Sequence, residues 1–429
     1  MRWLGPYRNT FIGIVAIGLA LRLPGLMGDL WLDEIWSLEN ALELPRWWDV
    51  FVSLKTDNNH HLTSLWLRAL GPLAPAELYR LPSLLAGVAS VVMATWVARR
   101  DGETSAIVTA LLFAASYPLV YYASEARGYA PVVFFTLAAW YCLREYAERL
   151  SRVHLFAFWI CCALGLLSHV TFVEFFLAGI VWCAMHLQRS RRRALRTTVI
   201  AFTVPALFLV AFYWFGLRGT SAAGGPESPP AIVVTQTLSL LLGGPAGGAG
   251  MWIVGLLAGA MFLGSIVMMW RRGDDRWLVY VLAGLALPPL LPLVAQAGPL
   301  YPRQLLVPGV FVLLAIGDLA ARWMLRAAPS RIAGAVVMIV VCTGSIVHVV
   351  ELGELGRGRF EGAVRRIAPQ PGEAPSVASM GVFGQRDERT EMMIRYYARR
   401  LPWPTAITYV PDGKYPVSGV EWMISEHIH

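Results

Sequence analysis

The chain has 429 residues, of which 56% are hydrophobic and only 15% charged, against about 25% charge in a soluble domain; its mean hydropathy is +0.54. Disorder, collagen-like repeats and a disulfide-stapled secreted domain are excluded, because apolar residues abound, the 39 glycines follow no period of three, and the five cysteines all lie inside apolar runs. The formal charge of +8 does not point to nucleic acid, since the basic residues are distributed between apolar stretches rather than gathered on one polar face. A polytopic membrane protein remains.

Eleven apolar stretches, each able to cross about 30 Å of hydrocarbon as a helix, are read at 10–27, 82–98, 105–123, 129–146, 154–169, 171–187, 197–215, 251–270, 277–295, 303–320 and 332–350. The first has the basic flank of a signal peptide (Arg2, Arg8), but Arg22 and Pro24 stand at its far end and no small-x-small cleavage site follows; it is read as a membrane anchor. With the N-terminus cytoplasmic, eighteen basic residues fall in cytoplasmic connections and seven in external ones, a bias that sets orientation. The run QRSRRRALR (188–196) is accordingly a cytoplasmic topogenic loop.

Two external segments are more than connectors. Residues 28–81 contain WLDEIWSLENALE and HLTSLWLRAL, whose Trp and Leu recur at helical spacing, as in helices lying at an interface. Residues 216–250 hold AIVVTQTLSLLL between glycine-rich pieces, a segment short for a span and expected as a re-entrant or surface helix. Residues 1–350 thus form the transmembrane part. In the tail, 351–429, ten basic residues match ten acidic ones and YVPDGKYPV reads as strand and turn, so a small soluble α/β external domain is expected.

Ionisable residues gather at the outer ends of the spans and are nearly absent from span centres, where a proton or ion pump would carry them. The chemistry is therefore expected at the external surface. Asp33 and Glu34 follow the first span among Trp31, Trp36 and leucines, where a carboxylate can serve as general base for a hydroxyl; the bland reading is a solvated stripe completed by Glu39 and Glu43. In NNHH (58–61), Asn58 or Asn59 can cap the following helix while His60 and His61 face the headgroup region. Adjacent helical residues point in different directions, so at most one His joins a given site. The turn YYASEARGYAP (121–131) gathers Tyr121, Tyr122, Glu125, Arg127 and Tyr129; its guanidinium can take a phosphate oxygen pair or pair with Glu125 to hold the turn. YPRQLLVP (301–308) sets Tyr301 and Arg303 at the hydrocarbon edge, where the arginine meets a lipid-linked phosphate or simply snorkels. His169 reads as a turn cap with Glu174 as its partner. Asp33, Glu34, Glu125 and one His also make an oxygen-rich set open to a divalent metal, and the residues leave the metal undecided.

Taken in order over residues 10–325, Arg22-Leu23, the Asp33-Glu34 pair, NNH (58–60), YRLPSLLAG, YYASEARGYA, GLLSHVTF and RQLLVP resemble the GT-C class of membrane glycosyltransferases. The likeness is to the branch related to protein O-mannosyltransferases and the lipid A aminoarabinose transferase. The resemblance implies an all-α polytopic fold and a polyprenyl-phosphate-linked sugar donor. It also implies transfer, with inversion at the anomeric carbon, to a hydroxyl of a lipid, glycan or protein on the external face of the bacterial plasma membrane. Matched by position, Asp33 would be the catalytic base and Glu34 its neighbour. Glu125, Arg127, Tyr122 and Tyr129 would border the donor, Arg303 with Tyr301 would hold the leaving phosphate, and His60 and His61 would adjoin it. Here His61 replaces the proline usual after the first His. Relatives of this branch often work without a metal. The alternative is a transporter or flippase of a lipid-linked sugar, which would show inverted repeats or polar mid-span residues; no convincing repeat is present.

Overall fold

The computed structural model describes residues 7–56, 58–190, 193–220, 228–289, 300–381, 387–411, 413–416 and 419–425. Helix α1 (Arg8–Leu26) is followed by three short helices, α2 (Leu32–Glu43), α3 (Asp49–Val52) and α4 (His61–Leu70). The bundle continues with α5 (Ala76–Ala98), α6 (Glu103–Ala115), α7 (Tyr117–Tyr122), α8 (Tyr129–Arg149), α9 (Arg152–Ser168), α10 (Phe172–Arg189) and α11 (Ala194–Phe212). It is completed by α12 (Pro230–Leu241), α13 (Gly248–Arg271), α14 (Arg276–Val281), α15 (Leu306–Met324) and α16 (Ala328–Leu355).

Among the described residues, six helices are long and apolar enough to cross a membrane; α6, α9, α12 and the 276–289 segment are apolar but shorter. The expected span over 105–123 is interrupted at Ser116, whose ψ of 116° leaves the helical region. Its hydroxyl donates to the Leu241 carbonyl at 3.0 Å, so α12 is tied into the bundle instead of lying on its surface. The expected 277–295 span runs past residue 289, outside the described residues.

Helix α15 is the axis of the bundle: every residue from Leu306 to Ala321 is buried. Around it α1, α11, α13 and α16 turn large apolar residues outward, among them Leu19, Leu207, Leu256 and Ile339. An apolar surface of that extent is incompatible with water and matches hydrocarbon, where all backbone groups must be satisfied within helices. The protein is an integral membrane protein.

One end of the bundle is capped. Beyond α16 come α17 (Phe360–Ile367), β1 (Ser376–Gly381), α18 (Asp387–Arg399), β2 (Ile407–Val410) and β3 (Trp422–Ser425). The strands form a parallel sheet in the order β2-β1-β3, with Ser376 opposite Ile407 and Ala378 opposite Trp422. Parallel neighbours need a crossover, which α18 supplies between β1 and β2. A second hydrophobic core joins this unit to the bundle: Ile35, Leu38 and Tyr79 pack with Val364, Met393, Tyr396 and Tyr397. Tyr397 also donates its hydroxyl to the Leu30 carbonyl at 2.6 Å. The amphipathic helix α2 therefore spends its apolar face on the C-terminal unit.

Candidate active site

Asp33 and Glu34 occupy the first turn of α2, where backbone N–H groups lack helical partners and the helix dipole favours negative charge. Neighbouring residues on a helix point about 100° apart, and the two carboxylates diverge. Glu34 is fully buried. Its Oε1 accepts from Arg80 Nε at 2.8 Å and from the Ala126 N–H at 2.7 Å; its Oε2 accepts from Arg80 Nη2 at 2.7 Å and the Trp31 N–H at 3.2 Å. Burial opposes the ionised form, but the charge and hydrogen bonds of Arg80 outweigh it and hold the Glu34 carboxyl below its usual range. Arg80 spends its remaining donors on the Leu26, Gly28 and Asp29 carbonyls. Glu34, expected as half of a catalytic pair, thus faces inward as a strut between α2, α5 and the 123–128 loop.

Asp33 faces the other way, its side chain 13% exposed. Its Oδ2 accepts from Arg127 Nη1 at 2.6 Å and Arg303 Nη1 at 3.4 Å. Arg127 is held at each nitrogen: Nη2 donates to Asn58 Oδ1 at 2.5 Å and Nε to His60 Nε2 at 3.3 Å. With Nε2 assigned as acceptor, the ring proton of His60 sits on Nδ1. Burial, then the charge of Arg127, keeps this imidazole well below its usual pKa, hence neutral. Asn58 is fixed in turn by donating to the Asp33 carbonyl and Ser37 Oγ, both at 2.9 Å.

The asparagines do not cap α4, whose N-cap is His60 without a side-chain bond. Asn59 donates to the Val50 and Leu54 carbonyls and accepts from Ser64 Oγ. His61, expected near the donor, is turned away from Asp33 and packs between Phe51 and Phe212 at ring separations of 5.8 and 4.8 Å. Burial and the charge of Lys55 lower its pKa to about 4.

The loop bearing Arg127 ends at Gly128, where a Cβ would stand 1.9 Å from the Ser168 carbonyl oxygen. Only glycine lets the start of α8 meet the end of α9 so closely, and the contact brings His169 to 5.3 Å from His60. His169 bonds Thr171 Oγ1 through Nδ1 at 2.8 Å. Tyr129 lies under the Arg127 guanidinium at 4.8 Å and Trp31 at 5.9 Å. Tyr122 meets Tyr129 edge-on at 5.1 Å. Both tyrosines, with Arg22, Ser90, Leu119 and Leu306, line a small cavity beneath this floor. Arg303 lies over Tyr301 at 4.5 Å, and the buried Tyr301 hydroxyl has no partner among the described residues.

Glu125 departs from expectation. Its carboxyl is fully buried, neither oxygen accepts a hydrogen bond from the described residues, and its near cation is Arg357, with Nε 3.8 Å away. Arg127 pairs with Asp33 instead, so the Glu125–Arg127 ion pair is not formed. Burial raises the Glu125 carboxyl to about 7, against the pull of Arg357 and Arg127. The oxygen-rich metal set is not assembled either: Asp33 and Glu34 point apart, each taken by a guanidinium, and among the described residues no three His, Cys, Asp or Glu converge.

Solved structures that share this architecture include ArnT from Cupriavidus metallidurans bound to undecaprenyl phosphate and the same protein in the apo state. The first superposes with a TM-score of 0.56 at 13% identity, covering 94% of this chain and 89% of ArnT. The second gives 0.57 at 13% identity, covering 95% and 86%. The chain has the ArnT fold. This is the GT-C architecture that the motifs implied, and at 94% coverage it reaches into the C-terminal α/β unit. Neither a family model nor a curated protein sequence matches the chain. Within the ArnT fold the Asp33–Arg127–Arg303 group sits at the capped end. Two residues of its frame were not singled out, Arg80, inside YRLPSLLAG, and Arg357, in the Gly-Arg-Gly of residues 356–358; Asn58, read as a helix cap, instead holds Arg127.

Proposed function

We propose that the protein is an inverting glycosyltransferase that moves a sugar from a polyprenyl-phosphate donor to an acceptor hydroxyl of a lipid, glycan or protein. The reaction takes place on the external face of the bacterial inner membrane, with the N-terminus cytoplasmic. The observation that carries this reading is one carboxylate, Asp33, set between two guanidiniums at the capped end of an ArnT fold. That ArnT was obtained with undecaprenyl phosphate bound supports a donor of this class.

The geometry divides the labour. Arg127 is committed at all three nitrogens, so it orients Asp33 and is not free to clasp a phosphate. Arg303 touches Asp33 at only 3.4 Å and is 27% exposed; it can swing to the donor phosphate and compensate its charge as the bond breaks. Tyr301, its hydroxyl unpartnered among the described residues, stands beside it, and Tyr129, Tyr122 and His60 form the floor. Both guanidiniums reach Oδ2, which leaves Oδ1 for the acceptor. The acceptor hydroxyl gives its proton to Asp33 while its oxygen attacks the anomeric carbon on the face opposite the phosphate. The anomeric carbon–oxygen bond breaks with its electron pair going to the phosphate, and the configuration inverts. Glu34 and Arg80 hold the turn that carries Asp33, and positioning of this kind contributes as much to rate as the proton transfer.

The test is to incubate the purified protein in liposomes with a panel of radiolabelled polyprenyl-phosphate sugars and membrane extract. Label is expected in a new glycoside with wild type and not with a correctly inserted Asp33→Asn variant. A fully active Asp33→Asn would sink the assignment, and label crossing the bilayer with no new glycosidic bond would make the protein a transporter.

A further inference from the structure

We propose that Arg357, from beyond the last bundle helix, is a positioning residue that sets the 121–128 loop and, through it, Arg127 and Asp33. Its Nη1 donates to the Gly25 and Ser124 carbonyls, and its Nη2 to the Tyr121 carbonyl and Ser124 Oγ, all at 2.9 Å. The guanidinium lies over the Tyr121 ring at 4.6 Å. Ser124 stands just past α7 and Gly25 in the last turn of α1, where carbonyls lack helical donors and the dipole is negative; the Tyr121 carbonyl also accepts the Ser124 N–H and hydroxyl. One planar fork thus closes two helix ends at once, which a lysine cannot do.

The local chain is built to aim it. Gly356 has φ +63° and Gly358 φ +122°, both in the left-handed region that favours glycine, and a Cβ on Gly358 would stand 2.5 Å from the Phe360 ring. The Gly-Arg-Gly kink ends α16 and turns Arg357 back under the bundle. All four hydrogen bonds leave the C-terminal unit, so they do not serve that unit's own fold.

The consequence passes along four residues. Ser124, clamped by Arg357, precedes Glu125, whose carbonyl accepts the Arg127 N–H at 2.8 Å. Next comes Ala126, whose N–H is taken by Glu34, and then Arg127. The loop is pinned by Arg80 and Glu34 on one side and by Arg357 on the other. The Glu125 carboxyl, 3.8 Å from Arg357 Nε, is also in the field of Arg127 on its own loop, Asp33 and Glu34 on α2, Arg80 on α5, and Tyr121, Tyr122 and Tyr117 on α7.

The kinetic half of this proposal rests on the glycosyltransferase reading; the structural half does not. Arg357→Gln in the full-length, membrane-embedded protein is expected to speed hydrogen exchange of the 121–128 amides alone. It should lower kcat about 100-fold, as loop misplacement of about 1 Å does, with the donor KM changed less than about threefold. Arg357→Lys, which keeps the charge without the fork, should recover about tenfold of that loss. A wild-type kcat in Arg357→Gln would overturn the proposal, as would exchange rising equally through the whole C-terminal unit with activity lost in proportion to unfolding. If wild type transfers sugar from no donor, the glycosyltransferase reading fails separately and the exchange map decides: a rise confined to 121–128 supports the role, and no rise overturns it.

Discussion

The two ends of the bundle use arginine differently. At the end away from the C-terminal unit, Arg276 is shared by Asp101 and Asp274, Arg272 and Arg322 both close on Asp318, and His186 and Trp182 close on Asp275. Among the described residues, these four carboxylates meet three guanidiniums and a histidine, so each of the four has a partner. At the capped end Arg127 and Arg303 converge on a single carboxylate oxygen, two guanidiniums to one carboxylate, with Arg303 27% exposed. A closed network ties helices together, whereas a surplus guanidinium at a surface is an anion site in waiting.

The sharpest way to break that contrast is to remove the carboxylate at its centre. Asp33→Asn should lower kcat about 1000-fold, within the range for a general base, with a smaller fall in the unfolding midpoint than at Glu34, because Asp33 is partly exposed and Arg127 keeps its bonds to Asn58 and His60. Its neighbour should behave oppositely: Glu34→Gln leaves Arg80 buried without its partner and should cost about 3–5 kcal/mol of stability, read as a lower unfolding midpoint. Equal effects at the two positions would erase the distinction between chemical and structural acid. Arg303→Ala should weaken undecaprenyl phosphate binding about 10- to 100-fold, the worth of charged hydrogen bonds, while Asp318→Asn at the opposite end leaves binding as in wild type.

Glu125 sharpens the comparison through pH. The fold raises its carboxyl from 4.5 to about 7, so the folded state holds the extra proton across that window. Stability contributed below pH 4.5 is then lost as pH rises toward 7. Glu125→Gln should flatten the dependence of the unfolding midpoint between those values. The smallest effect is expected at His61: His61→Leu, packed between Phe51 and Phe212, keeps an apolar filler of similar volume and should change transfer less than about twofold.

Much of the fold was readable because apolar run length and helical spacing are local properties. α2 and α4 lie where WLDEIWSLENALE and HLTSLWLRAL placed them. The break at Ser116 was not, since it depends on an acceptor on α12, 125 residues away. Within the site, motif order located Asp33, Arg127 and Arg303. It did not say which of two adjacent acids faces the opening, because that depends on where Arg80 arrives. Arg357 carried one local signal, its flanking glycines, whereas its partner Ser124 lies 233 residues earlier.

The most direct measurement is where the lipid phosphate binds. A photoreactive undecaprenyl phosphate, cross-linked to the membrane-embedded protein and mapped by mass spectrometry, should label peptides spanning 301–308 and 121–131, and labelling should fall in Arg303→Ala. Labelling centred on Arg272, Arg276 and Arg322 at the opposite end, or labelling indifferent to Arg303, would contradict the account.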